Sequence, residues 1–155
     1  MSVLIISRNE DKLLEQKKSL SASFGIEVRH IAFDYTLSGE EKKMFYSDLD
    51  RTLALIHTDG GIGLLINNVG IANEYPKALE EFQDNEIEAM IHCNVFSTVN
   101  MTTAVLKYMK QRKSGCVVSI SSGSGNMPSS FLAVYSATKY ALYCNIIVSF
   151  PISLL

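Results

Sequence analysis

The sequence predicts an α/β protein built on a parallel sheet, and two observations predict it. Short apolar runs alternate with longer segments of helical periodicity, the order expected of successive βαβ units. The strand runs are also apolar throughout rather than at every second residue, as strands covered by helices on both faces must be.

Each element follows from its local pattern. Val3–Ile6 is a continuous apolar run and reads as a strand buried on both faces. Glu10–Phe24 has helical spacing, with Leu13, Leu14, Lys17 and Leu20 on one side, and Gly25 ends it. Val28–Phe33 is a second strand that closes at Asp34. A polar helix follows over about Gly39–His57, and Asp59-Gly60-Gly61 turns the chain. Leu64–Asn67 is a third buried strand, followed by a loop over Val69–Pro76. A long helix spans about Asn85–Arg112, because Ile87, Met90, Ile91, Asn94, Val95, Thr98, Val99, Thr102, Val105 and Leu106 repeat at helical intervals. Ser114-Gly115 terminates it. Cys116–Ile120 is a fourth strand, a Ser/Gly loop runs to Pro128, and a last helix begins near Phe131 and passes through Tyr135–Asn145. No repeat, low-complexity tract or linker interrupts the series, so residues 1–155 read as one domain or part of one.

Composition narrows the function. The 155 residues, 47% hydrophobic and 19% charged, are those of an ordinary globular protein with a sizeable core. A net charge of −2 with scattered basic residues argues against a nucleic-acid partner. Lys107, Lys110, Arg112 and Lys113 form the one basic cluster, and a solvated helix end accounts for it. Cys93, Cys116 and Cys144 are too few and too far apart for a metal site or a disulfide framework, which favours reduced thiols in a cytosol-facing compartment. His30, His57 and His92 lack ligand spacing and read as structural or surface residues. Arg8, Asn9, Glu10 and Asp11 interrupt the opening apolar run, so no signal peptide is expected. Asn145–Leu155 is apolar but shorter than the ~18 residues a spanning helix needs, and Pro151 breaks it. No membrane span is expected.

Tyr135 and Lys139 stand four residues apart, so a helix projects both from one face. An ammonium beside a phenol favours the ionised form that acid–base work needs. Alone the pair carries little weight, since chance supplies about one in every two chains of this composition. Its context carries more. Ser122 lies thirteen residues earlier, in Ile120-Ser121-Ser122-Gly123, at the end of a strand where parallel sheets place ligands. The preceding strand likewise ends in Asn67-Asn68-Val69-Gly70, a loop suited to close approach of a cofactor or simply a turn. Asn94 sits on the apolar face of the long helix, where a buried amide must find hydrogen bonds.

This ordered set, NNVG, then Asn94, then the ISSGSG loop, then YSATK, resembles the short-chain dehydrogenase/reductase family over roughly Val3–Leu142. The resemblance implies a Rossmann-like doubly wound parallel sheet and an NAD(P)-binding domain. It implies that Tyr135 is the general acid that protonates a substrate carbonyl oxygen while a nicotinamide delivers hydride, and that Ser122 hydrogen-bonds and orients that carbonyl. Lys139 is implied to hold the nicotinamide ribose and to lower the tyrosine pKa, and Asn94 to anchor a water in the proton relay. Asn68, Val69 and Gly70 match the loop lining the cofactor, and Asp34 the acid near the adenine. The finer match is to the 3-ketoacyl-CoA reductase/17β-hydroxysteroid dehydrogenase branch, whose look is NNVG followed by Glu74-Tyr75-Pro76, and SSGSG with Pro128 before YSATK. Its members resemble one another in reducing 3-oxoacyl-CoA chains or steroid ketones at the cytosolic face of the endoplasmic reticulum; without an anchor a cytoplasmic setting follows. Extended dehydrogenases such as sugar epimerases share Tyr-x-x-x-Lys, but the NNVG and ISSGSG forms fit them less well.

Cofactor choice is read from charge. NAD-selective enzymes place a carboxylate after the second strand of the fold, whereas here that strand ends Ile6-Ser7-Arg8, a hydroxyl and a cation that suit the 2′-phosphate of NADP(H). Against the family pattern the sheet is expected to be incomplete. The first strand, with its Gly-rich phosphate turn, is absent between the strands at Val3–Ile6 and Leu64–Asn67, which exposes two strand edges. The last strands do not appear either. Two functions therefore stand side by side. One is an NADP(H)-dependent reductase of a ketone or acyl-CoA substrate. The other is an inactive truncated remnant or dimerisation module, since family homodimers pair through the helices that hold Asn94 and Tyr135.

Overall fold

The computed structural model describes residues 2–127, 129–143 and 148–149. Its chain divides into two compact units, Met1–Tyr35 and Thr36–Leu155.

In the first unit, strand β1 (Ser2–Ser7) pairs in parallel with β2 (Glu27–Ala32), in a register that sets Ser2 opposite Glu27 and Ser7 opposite Ala32. Helix α1 (Glu10–Phe24) connects them. It starts where the Asn9 side chain accepts the Lys12 amide at 2.9 Å, with Glu10 and Asp11 favourably placed in the positive first turn. It stops at Gly25, whose φ of 62° is left-handed and whose N–H reaches Ser21 O. The expectation of strands buried on both faces fails here: no residue of β1 is fully buried, and α1 buries Leu13 alone. The reason is layering. One helix covers at most one face of a sheet, and in a two-stranded sheet both strands are edges.

The second unit opens with α2 (Gly39–Thr58), which buries Phe45, Leu49 and Leu53 at intervals of four. Strand β3 (Leu64–Asn67) pairs in parallel with β4 (Cys116–Ser119), Leu64 opposite Cys116 and Asn67 opposite Ser119. Between them the expected single helix is three segments: α3 (Asp84–Ile91), a π-helical turn (His92–Phe96) and α4 (Ser97–Arg112). Hydroxyls serve the widened turn, Ser97 donating to Cys93 O and Thr98 to Asn94 O. Helix α4 ends at Lys113, which takes the left-handed conformation at φ 55°, one residue before the predicted Ser-Gly stop. Gly115 beyond it must be a glycine, since a Cβ there would stand 2.5 Å from Met109 Cγ.

Helix α5 (Ala133–Tyr143) begins two residues later than the sequence suggests. Phe131 holds φ at 62° and cannot join a right-handed helix, and its carbonyl accepts from Asn73 Nδ2 and Lys77 N. The predicted run to Asn145, like Pro128 and Cys144, lies partly or wholly outside the described residues. Strand β5 (Val148–Ser149) adds a short antiparallel pairing to β4, so the sheet order is β3-β4-β5. The strands expected to flank a gap, β1 and β3, belong to separate sheets, and Leu64 and Ile66 of β3 are each 55% exposed. The core of the unit is Leu49, Leu53, Met101, Val105, Met109 and Val117. Among the described residues no helix is long and apolar enough to cross a membrane, and no cluster of His, Cys, Asp or Glu could hold a metal ion.

Candidate active site

The site is assembled where β3, the π-helical turn, the loop after β4 and helix α5 meet. Asn94 is the centre of it. Its side chain is 0% exposed and is held on three sides: Oδ1 accepts Ile71 N at 2.8 Å, and Nδ2 donates to Ile71 O at 2.8 Å and to Thr138 Oγ1 at 2.9 Å. Thr138 in turn donates to Tyr135 O at 2.7 Å within α5. One amide therefore ties the loop after β3 to the helix that carries Tyr135 and Lys139. Both N–H donors of Asn94 are spent on protein groups, so this side chain can hold a water only as an acceptor.

Lys139 is 5% exposed, and its Nζ donates to Ile120 O at 3.2 Å and lies 5.8 Å from the centre of the Tyr135 ring. Burial pushes its pKa below the usual lysine range, with the nearby Cys93 thiol opposing the shift. Gly70 faces the same ammonium: a Cβ there would sit 3.0 Å from Nζ and 3.4 Å from Asn94 Oδ1. An ammonium carries three donors, and the one carbonyl leaves room for further acceptors at the open face of Gly70.

Ser122 is extended, at φ −148° and ψ 152°, and caps a turn of 3₁₀ helix at Gly123–Gly125. The loop around it is clamped to α5. Ser121 donates to Lys139 O at 2.6 Å, and Gly125 packs so closely that a Cβ would meet the Lys139 carbonyl carbon and Tyr140 N at 2.9 Å. Ser122 is thus held against the helix bearing Tyr135.

Gly70 stands between Lys139 and Asn94, Tyr135 shares the helix of Lys139, and the loop bearing Ser122 is fastened to that helix through Ser121; the exposed Asn68 and half-buried Val69 precede Gly70. Arg8 and Asp34 belong to the first unit, Arg8 exposed just past β1 and Asp34 half-buried beyond β2. The structure separates the two amides that the sequence presents as a pair. Asn67 is buried and braces the unit, donating to Thr102 Oγ1 at 3.0 Å and to Ser119 Oγ at 3.4 Å. Sequence reasoning missed Thr138, Ser121 and Ser124. A Thr one residue before Lys139 was the available signal for the first, because a mid-helix hydroxyl on a buried face needs a partner. The histidines do not converge: His57 lies against Tyr108, and His92 against Phe96.

Comparison with known proteins places this geometry among others. The family model for short chain dehydrogenases matches residues 1–144. The very-long-chain 3-oxoacyl-CoA reductase of Macaca fascicularis is 40% identical over 141 residues, which cover 90% of this chain and 42% of that protein. The human protein of the same name is 38% identical over the same shares. The chain thus spans about two fifths of the length of these curated relatives. Among solved structures, the bulky-bulky ketone specific alcohol dehydrogenase of Comamonas testosteroni superposes with a TM-score of 0.77 at 21% identity, over 91% of this chain and 54% of that one. A 3-oxoacyl (acyl-carrier-protein) reductase from Agrobacterium tumefaciens with NADP bound gives 0.74 at 25% identity, over 92% and 51%.

Proposed function

Because the chain belongs to the short chain dehydrogenase family, we propose that its site is that of an NADP(H)-dependent reductase acting on a ketone of the 3-oxoacyl-CoA or steroid type. The single observation that carries this is the convergence on α5. Asn94 and the loops bearing Gly70 and Ser122 are all fastened to the helix that presents Tyr135 and Lys139.

The residues present fit the nicotinamide end of the cofactor. A buried ammonium with donors to spare faces a glycine that leaves room for close approach, which is what ribose hydroxyls require. Lys139, Tyr135, Asn68, Val69 and Gly70 would hold that end. In the first unit, Ser7 and Arg8 supply the hydroxyl and cation that favour NADP(H) over NAD(H), and Asp34 the acid expected beside an adenine. When bound, NADP(H) supplies the hydride for the carbonyl carbon. Tyr135 donates its phenolic proton to the carbonyl oxygen, and Ser122 holds that oxygen with a hydrogen bond that strengthens as charge develops on it. The Lys139 ammonium stands near the ring and stabilises the negative charge left on the phenolate. Asn94 keeps the helix and the two loops in register. The likeness to very-long-chain 3-oxoacyl-CoA reductases supports work at the cytosolic face of the endoplasmic reticulum.

The test is oxidation of NADPH by a long-chain 3-oxoacyl-CoA or a steroid ketone, followed by absorbance. Tyr135→Phe should lower kcat by at least ~10²-fold, and retained turnover would overturn the acid role. Arg8→Ala should weaken NADPH binding by about tenfold while leaving NADH within twofold, read by nicotinamide fluorescence.

An apolar groove supports a second reading. Leu79, Ile91, Val95, Ala133, Val134 and Ala137 line a depression of about 390 Å³ on the α3 and α5 faces. A chain that dimerises by light scattering, with no NADPH binding, would be a helix-pairing module rather than a reductase.

A further inference from the structure

Ser122 has a neighbour that decides which way its hydroxyl can act. A serine hydroxyl has one donor and two acceptor positions. Ser124 fills both acceptor positions of Ser122 Oγ, with its own hydroxyl at 3.0 Å and its backbone N–H at 3.4 Å. What remains to Ser122 is its proton, and a ketone oxygen can only accept.

The surroundings hold the backbone of this serine on both sides. Ser121 and Gly125, on either side, fasten the loop to the backbone of α5, and Gly125 N closes the turn on Ser122 O at 3.0 Å. The Cα of Ser122 is therefore fixed, while its χ1 and hydroxyl angle depend on what the oxygen is bonded to.

We propose that Ser124 is a positioning residue that locks Ser122 Oγ as a hydrogen-bond donor towards the substrate carbonyl. A hydroxyl that accepts a hydrogen bond is also polarised into a stronger donor, so the chain Ser124 to Ser122 to carbonyl oxygen strengthens as the oxygen gains charge. The proposal rests on the reductase reading for its consequence in catalysis, but not for the geometry.

Two variants and two readouts test it. Ser124→Ala removes the hydroxyl and keeps the backbone N–H; Ser124→Thr keeps both. In solution NMR of the chain, the two Hα–Hβ couplings of Ser122 should be unequal in the wild type, averaged in Ser124→Ala and unequal again in Ser124→Thr. In turnover, Ser124→Ala should lower kcat by about three- to tenfold with KM within twofold, and Ser124→Thr should restore most of it. Unchanged couplings in Ser124→Ala, or a loss that Thr fails to rescue, would overturn the proposal. Averaged couplings in Ser124→Ala, in a chain that oxidises no NADPH with any 3-oxoacyl-CoA or steroid ketone, would sink the reductase reading and leave the Ser124 lock standing.

Discussion

The first thirty-five residues and the rest of the chain each hold two apolar strands paired in parallel across a helical connection, and end in different physical states. Residues of β1 include Val3, Leu4, Ile5 and Ile6, and none is fully buried. Val117 in β4, no more apolar than those, is almost wholly enclosed. Strand composition is therefore not what separates the two units. The second has several helices, so Leu49, Val105 and Met109 can close over one another; the first has one. The polar residues obey the same rule. Asn94, Thr138 and Asn67 are buried because hydrogen bonds meet them, and those partners exist only where several elements converge.

That contrast makes graded predictions, each readable by urea unfolding. Asn94→Ala should have the largest effect, a loss of about 3–5 kcal/mol, because it empties a fully buried site and removes the partner of both polar groups of Ile71 and one of the two hydrogen bonds of the Thr138 hydroxyl. Leu49→Ala should follow at about 2–4 kcal/mol through the cavity it leaves. Gly125→Ala should cost about 1–3 kcal/mol, since the new methyl would stand 2.9 Å from the α5 backbone and lever the Ser122 loop away. The smallest effect belongs to the first unit, where Leu14→Ala, at a side chain 39% exposed, should stay within about 0.5 kcal/mol. A loss at Leu14 equal to that at Leu49 would break the comparison.

Acidity sharpens it further. The Lys77 ammonium on Glu86, with the Gln83 amide, holds that carboxyl below its usual range, and Lys107 does the same for Asp50. Carboxyls depressed on folding add stability that is present above their unfolded pKa and lost as pH falls through the folded one. Both lie in the second unit, while Glu27, held down by Arg29, gives the first an acid limb of its own; Glu86→Gln with Asp50→Asn should flatten only the second unit's share of a Tm–pH curve. Lys139 acts in the opposite sense. Its folded pKa is lowered, so the unfolded chain binds more protons in the window between the two values, and stability rises with pH there. Lys139→Met should remove that alkaline rise and raise Tm at neutral pH.

Much of the site was legible in advance because it is local. Glu10–Phe24 and Leu64–Asn67 have the predicted bounds, since a side-chain cap, a left-handed glycine and an unbroken apolar run are properties of neighbours in the chain. The i, i+4 spacing of Tyr135 and Lys139 likewise needs only a helix to become a shared face. The π-helical turn was not legible, because its residues keep helical periodicity and differ only in which carbonyl each amide meets. Phe131 was not legible either: its left-handed backbone is held by Asn73 and Lys77, more than fifty residues away.

By itself, then, the sequence determined which segments are strands and helices, that they alternate, and which side chains with acid–base chemistry stand at their ends. Those are consequences of short-range sterics and of the spacing of apolar residues. Only the tertiary structure decided which strands are covered, which amide braces the sheet, and which loops are fastened to the helix of Tyr135 and Lys139. Burial and hydrogen bonding depend on partners brought together across the chain, and no local pattern records who those partners are.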